Sequence, residues 1–180
     1  DRHHRVRAPA VVVEDQKQLQ QLFQAGKLER DFVAIVRAQG PRANGMPELH
    51  KLTPILGVLQ DKGYQVALVT DGRMSGASGK VPAAIHVWPE AAAGGPIGKV
   101  RNGDLVVVDA HKGELTVEIS DTEWSSRQAV IPEVQAHPQS SGRGLFSLFR
   151  MNAAHAEAGA SVLWPTPPNA PKDSHAQAIV

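Results

Sequence analysis

The feature that most constrains the fold is a strand, helix, strand pattern in the first half of the chain. Phe32–Val36 and Val66–Val69 are compact apolar runs rich in β-branched residues, which predicts two buried strands. Between them, apolar residues recur every three or four positions from Pro47 to Gly63, which predicts a helix with Pro54 as an irregularity in its first half. A helix between two such strands indicates a βαβ-like unit with parallel strands.

The rest of the chain predicts further short elements, so we expect a mixed α/β domain. Ala10–Val13 predicts a first strand, and Leu19, Leu22 and Phe23 predict an amphipathic helix that ends at Gly26. Further strands are predicted at 85–87, 105–109 and 115–119, the last two as a hairpin, and helices from Asp121 towards Val134 and over 145–151. Residues 1–164 would form the domain, and the proline-rich segment 165–180 is predicted to be a disordered tail.

Composition excludes several classes of function. Nineteen basic and eighteen acidic residues leave a formal charge of +1, which provides no field to attract nucleic acid or anionic lipid. No apolar run approaches the roughly 18 residues of a membrane helix. Cysteine is absent, so the chain alone offers no thiolate ligands for zinc or an iron–sulfur cluster. Because the chain lacks an initiating methionine, we expect it to be part of a longer protein.

The segment from Thr70 to Lys80 is the first candidate site. It follows a predicted strand and contains three glycines, an aspartate, Arg73 and two serines. Loops at the carboxyl ends of strands are where α/β folds place their sites, and exposed amides beside an arginine can hold an anion. A carboxylate or a phosphate would suit such a loop. An ordinary glycine-rich connection is the alternative.

The segment from Gly40 to Lys51 is the second candidate, because it follows the neighbouring predicted strand. It is expected to be a polar loop that presents Glu48 at the start of the following helix. An acidic residue in that position gains from the helix dipole even without a function. If the two strands are parallel neighbours, Glu48 and Ser75 lie at the same edge of the sheet, and the two loops form one site.

Three motifs in this order resemble the family of dihydroxy-acid and 6-phosphogluconate dehydratases. They are Gly45-Met46-Pro47-Glu48, Thr70-Asp71-Gly72-Arg73-Met74-Ser75-Gly76 and His86-Val87-Trp88-Pro89-Glu90-Ala91, and the resemblance extends from about Pro9 to Ala160. Two segments are similar to the 6-phosphogluconate branch in particular: 40–54, and the late segment with Gly144-Leu145-Phe146 and Ala156-Glu157-Ala158-Gly159-Ala160.

The resemblance implies an activity and roles for residues. Enzymes of this family remove water from a 2,3-dihydroxy acid, such as 6-phosphogluconate in the Entner–Doudoroff pathway, and give a 2-keto-3-deoxy acid. By resemblance, Glu48 is a ligand of Mg²⁺ and Ser75, as an alkoxide, removes the C2 proton. From their positions, Arg73 and the amides of Gly76 and Ala77 would orient the substrate or the alkoxide. Lys51 would meet the phosphate, with a solvated helix charge as the alternative.

The resemblance also implies partners and a fold. The fold would be a β-barrel-like domain of swivelling type with surrounding helices, the carboxyl-terminal part of a cytoplasmic, homodimeric enzyme. A 4Fe–4S cluster and the other metal ligands would belong to an amino-terminal domain, so the isolated chain is expected to be inactive. Two alternatives stay open: a dehydratase of the same family with another sugar acid or dihydroxy acid as substrate, and a non-catalytic anion-binding module.

Overall fold

The computed structural model describes residues 4–74, 79–131 and 146–163, and it forms an α/β domain around one mixed sheet. The six strands are β1 (Arg5–Val13), β2 (Phe32–Val36), β3 (Val66–Thr70), β4 (Ala83–Ala84), β5 (Leu105–Asp109) and β6 (Glu114–Val117). The helices are α1 (Gln16–Gln24), α2 (Pro41–Asn44), α3 (Leu52–Asp61), α4 (Asp121–Ser126) and α5 (Ser147–Asn152). Single 3₁₀ turns occur at Ala91–Ala93, Pro96–Lys99 and Ala156–Ala158.

The sheet has the strand order β4-β3-β2-β1-β5-β6 and curves into a half-barrel, which confirms the expected fold class. β1 to β4 pair in parallel, whereas β5 pairs antiparallel with β1 and β6. The predicted hairpin of β5 and β6 and the βαβ-like unit of β2, α3 and β3 are therefore confirmed. No helix within the described ranges is long and apolar enough to cross a membrane.

Both faces of the central strands are buried, which explains their continuous apolar sequence. In β2, Phe32, Ala34 and Val36 pack into one core cluster with α1 and α3, while Val33 and Ile35 pack into a second cluster with β5 and Trp124 of α4. Asp15 caps α1 by accepting a hydrogen bond from the amide of Gln18 at 2.8 Å, and the predicted amphipathic helix is present.

Several local predictions are wrong. Residues 85–87 are not a strand, because His86 has a φ of +58° and the short strand β4 lies before them. The helix predicted towards Val134 ends at Ser126, and Ser120 is its N-cap. The segment 40–45 is not only a loop, since it contains α2. The predicted tail, 165–180, lies outside the described residues.

Candidate functional site

Parallel strands place three polar segments at one edge of the sheet. In the register of the sheet, Val13 pairs with Val36 and Val36 pairs with Thr70, so β1, β2 and β3 end side by side. The segments that follow β2 and β3 are the two loops that the sequence selected. Their closeness is a direct consequence of the parallel pairing.

Asp71 joins these segments through its buried carboxylate. The side chain accepts hydrogen bonds from the amides of Ala38 (3.2 Å), Gln39 (2.9 Å) and Ala91 (2.9 Å), and the residue has no exposed surface. Burial raises the pKa of Asp71, and the three amide donors oppose that shift. One aspartate thus holds the loop after β2 and the turn at Ala91 against the end of β3.

Replacing Asp71 with asparagine should destabilise the fold. The amide NH₂ would replace one acceptor oxygen, so at least one backbone donor would face another donor, at a cost of about 1–3 kcal/mol in the free energy of unfolding. Urea unfolding measures this loss. Asp31→Asn is the matched control, because exposed Asp31 accepts one amide hydrogen bond, from Gln65, at 2.9 Å. Equal losses in both variants would contradict the anchoring role of Asp71.

Glu90 builds the start of α2. Glu90 is buried, with 2% of the residue exposed. Its carboxylate accepts hydrogen bonds from the backbone amides of Arg42 (3.0 Å) and Ala43 (3.1 Å). A side chain at Gly40 would overlap this carboxylate, so only glycine fits there. Glu90 belongs to the third motif, and no sequence pattern predicted its contact with α2.

Glu48 and Arg73 bring the two candidate loops into contact. Arg73 Nη1 lies 3.0 Å from Glu48 Oε2, and Arg73 Nε donates to the carbonyl of Met46 at 2.9 Å. The two residues also form a parallel β-bridge. Glu48 is therefore not at a helix start as predicted, since α3 begins four residues later at Leu52. The amide of Leu49 donates to the carbonyl of Arg73 at 3.4 Å, so the backbone here pairs with the loop after β3 instead of forming a helical turn.

Of the other predicted site residues, the structure describes Lys51. Lys51 is exposed at the N-cap of α3, and its amide donates to Gln16 Oε1 at 3.3 Å. Ser75, Gly76 and Ala77 lie outside the described residues. Their nearest described neighbour on the amino-terminal side is Met74, directly after Arg73.

A cleft of about 610 Å³ opens beside the Glu48 loop, between α2 and α5. It is lined by Pro41, Asn44, Gly45, Met46, Phe146, Phe149, Arg150, Ala153, Ala160 and Val162. Arg42 Nε donates to the carbonyl of Ala153 at 3.0 Å and ties the two walls together. The ring of Trp88, from the third motif, packs edge-on against His155 with centroids 5.2 Å apart. The sequence predicted a helix over 145–151 but assigned no role to its arginine.

The metal-binding capacity of the described residues is small. No three histidine, cysteine, aspartate or glutamate side chains in ranges 4–74, 79–131 and 146–163 are grouped so that they could hold a metal ion. The Glu48 carboxylate is a hard oxygen donor with 28% of its side chain exposed, which fits one ligand position of Mg²⁺. The chain has no cysteine, so its residues do not fit an iron–sulfur cluster.

Comparisons with known proteins agree with the motifs. The family model described as "Dihydroxy-acid/6-phosphogluconate dehydratase C-terminal" matches residues 1–160. The chain is 60% identical to a phosphogluconate dehydratase of Pseudomonas aeruginosa over 158 residues, which are 88% of this chain and 26% of that protein. It is 53% identical to the phosphogluconate dehydratase of Escherichia coli K12 over 158 residues, which again are 88% of this chain and 26% of that protein.

A dihydroxy-acid dehydratase of Metallosphaera sedula is 43% identical over 122 residues, which are 67% of this chain and 22% of that protein. The chain spans about a quarter of the length of the phosphogluconate dehydratases that it matches. The family model covers well over half of the chain, and the resemblance of the three motifs is confirmed. The chain belongs to the dihydroxy-acid/6-phosphogluconate dehydratase family and matches its C-terminal domain.

Proposed function

We propose that this chain is the C-terminal part of a cytoplasmic, homodimeric dehydratase that converts 6-phospho-D-gluconate to 2-keto-3-deoxy-6-phosphogluconate and water. The observation that carries the proposal is the contact of Glu48 with Arg73, which unites two of the family motifs at one sheet edge. The relatives named phosphogluconate dehydratase support the choice of substrate, because they match 88% of this chain at 53–60% identity.

Two residues of the chain would have different catalytic roles, one in metal binding and one in proton transfer. Glu48 would supply one oxygen ligand to Mg²⁺, which when bound stabilises negative charge on the substrate's carboxylate and C2 hydroxyl. Ser75 would accept the C2 proton as an alkoxide, a role that a free hydroxyl is too weak a base to perform without nearby positive charge. Arg73, two residues earlier, carries such a charge.

The remaining parts come from elsewhere in the proposed enzyme. The C3 hydroxide is a poor leaving group, and the family resemblance implies an iron–sulfur cluster in the amino-terminal domain for this purpose. Cysteine is absent from the chain, so the cluster's thiolate ligands would lie outside it. Gly76 and Ala77 would orient the substrate through their amides. Lys51, exposed beside the Glu48 loop, would be a second positive charge for an anionic substrate.

The proposal is tested by comparing the full-length enzyme with the isolated chain. We expect the full-length enzyme to form the 2-keto-3-deoxy acid from 6-phosphogluconate, and the isolated chain to form none because its metal shell and cluster ligands are incomplete. Product formation is measured as the keto acid released per enzyme. An unphosphorylated branched 2,3-dihydroxy acid is the control substrate, and preferential turnover of that acid would overturn the assignment.

A further inference from the structure

The cleft between α2 and α5 lies next to the candidate catalytic loop. Gly45 and Met46 line it, and Glu48 follows two residues after Met46. Consecutive Cα atoms are about 3.8 Å apart, so the Cα atoms of Met46 and Glu48 are separated by at most about 7.6 Å. A six-carbon acid whose reacting end lies at Glu48 therefore has its far end within reach of the cleft.

Arg150 is the cationic residue of the cleft wall. It is 8% exposed, and most of the other lining residues are apolar, including Phe149 and Val162. A guanidinium is costly to bury unless anions or acceptors surround it, and its planar donors match a phosphate well. Arg150 also has interactions within the fold, yet it remains part of the surface that a ligand in the cleft would meet.

A second arginine, Arg42, lies beside the cleft, and its backbone amide donates to the carboxylate of Glu90. Arg42 lies on the opposite wall element and bonds to the carbonyl of Ala153, one of the lining residues. Burial lowers the pKa of His155, the positive charge of Arg42 lowers it further, and the carboxylate of Glu157 opposes the shift. An anion in the cleft would meet Arg150 directly, with Arg42 behind the wall.

The cleft also contains residues of both segments that are similar to the 6-phosphogluconate branch, and Arg150 lies between the two parts of the late segment. Segment 40–54 supplies Pro41, Asn44, Gly45 and Met46, and the late segment supplies Phe146 and Ala160. They are about 100 residues apart in the chain and pack together through α2 and α5. Residues that distinguish a phosphorylated substrate should surround its phosphate, and these segments converge on one cleft.

We propose that this cleft is the subsite for the phosphate end of the substrate and that Arg150 is its anion-binding residue. The proposal deepens the proposed function and rests on it for the identity of the substrate. It assigns the phosphate to Arg150 in preference to Lys51, which is not among the residues that line the cleft. The phosphate would carry close to two negative charges at neutral pH, so a charge-assisted contact with Arg150 is expected.

The first test changes charge at the cleft without disturbing the core. Val162 lines the cleft and is 37% exposed, so both Val162→Glu and Val162→Lys should fold. In the full-length enzyme, we expect the glutamate to raise KM for 6-phosphogluconate about 3- to 10-fold and the lysine to leave it unchanged or lower it. Equal KM values in the two variants would overturn the proposal.

The second test changes Arg150 itself. Arg150→Met should raise KM for 6-phosphogluconate and the inhibition constant of inorganic phosphate about 10- to 100-fold, with kcat changed far less. Arg150→Lys should restore part of the affinity, which a merely structural role would not produce. Exposed Arg30→Met is the matched control, and Lys51→Met tests the competing assignment. A larger loss of phosphate affinity in Lys51→Met than in Arg150→Met would overturn the proposal.

Failure of this proposal is separable from failure of the proposed function. If the wild-type enzyme does not dehydrate 6-phosphogluconate, the proposed function is wrong. Binding of inorganic phosphate, followed by calorimetry with wild type, Val162→Glu and Val162→Lys, still tests the cleft. If wild type, Val162→Glu and Val162→Lys bind inorganic phosphate with equal affinity, the subsite proposal is wrong. The proposed function then still stands if dehydratase activity is measured.

Discussion

We expect Ser75→Ala in the full-length enzyme to lower kcat by about 10²- to 10⁴-fold, the range typical for loss of a general base. The reason is that a methyl group cannot accept the C2 proton, whereas substrate binding would still rest on Arg73, Arg150 and the metal. KM should therefore change much less than kcat. Steady-state kinetics with 6-phosphogluconate measures both constants.

Ser78→Ala is the matched control for this prediction. It removes the same hydroxyl three residues later in the same glycine-containing segment. Circular dichroism and iron content should be unchanged in both variants, so that a loss of activity reports on chemistry and not on folding. If Ser75→Ala retains near-normal kcat, the base is another residue and the segment only cradles the substrate.

The strands that could be predicted best are those whose residues are buried on both faces. The predicted bounds of β2 and β5 agree with the structure, because every residue of Phe32–Val36 is buried and Leu105–Asp109 is nearly so. Burial on both faces leaves an uninterrupted apolar run that the sequence displays directly. For these strands the local pattern and the tertiary environment carry the same information.

The predictions that failed depend on contacts between distant residues. The helix predicted from Pro47 begins only at Leu52, because residues near Glu48 pair with the backbone of Arg73, 25 positions later. Helix α2 was missed because its amide donors are satisfied by Glu90, 48 positions beyond Arg42. The hydrophobic periodicity of a short sequence window cannot reveal contacts between residues so far apart in the chain.

In the candidate site, too, local patterns were predicted correctly and contacts between distant residues were missed. The sequence predicted that Glu48 and Ser75 lie in loops at one sheet edge. The structure confirms the parallel pairing of the two strands and shows Glu48 in contact with Arg73, whereas Ser75 lies outside the described residues. Arg150 was missed because its cleft forms only when α5 packs against α2, and a single arginine in an apolar helix gives no pattern of its own. Its burial to 8% exposure is the structural observation that singled it out.

Glu48→Gln is expected to weaken the response of the full-length enzyme to Mg²⁺. The amide keeps the shape of the side chain but loses the charge that a hard cation prefers, so the Mg²⁺ concentration for half-maximal activity should rise at least about 10-fold, and kcat should fall with it. The fold should not suffer. The Glu48 and Arg73 side chains are 28% and 47% exposed, and a pair so accessible to water stabilises a fold by about 0–1 kcal/mol.

Arg73→Gln separates the two roles that Glu48 could have. Both variants break the ion pair between Arg73 Nη1 and Glu48 Oε2, but only Glu48→Gln removes the carboxylate. If Glu48 is a metal ligand, the Mg²⁺ titration shifts in Glu48→Gln and much less in Arg73→Gln, and Glu48→Asp recovers part of the response. Equal shifts in Glu48→Gln and Arg73→Gln would mean that the carboxylate serves to hold Arg73 against the loop, and the magnesium assignment would then be wrong.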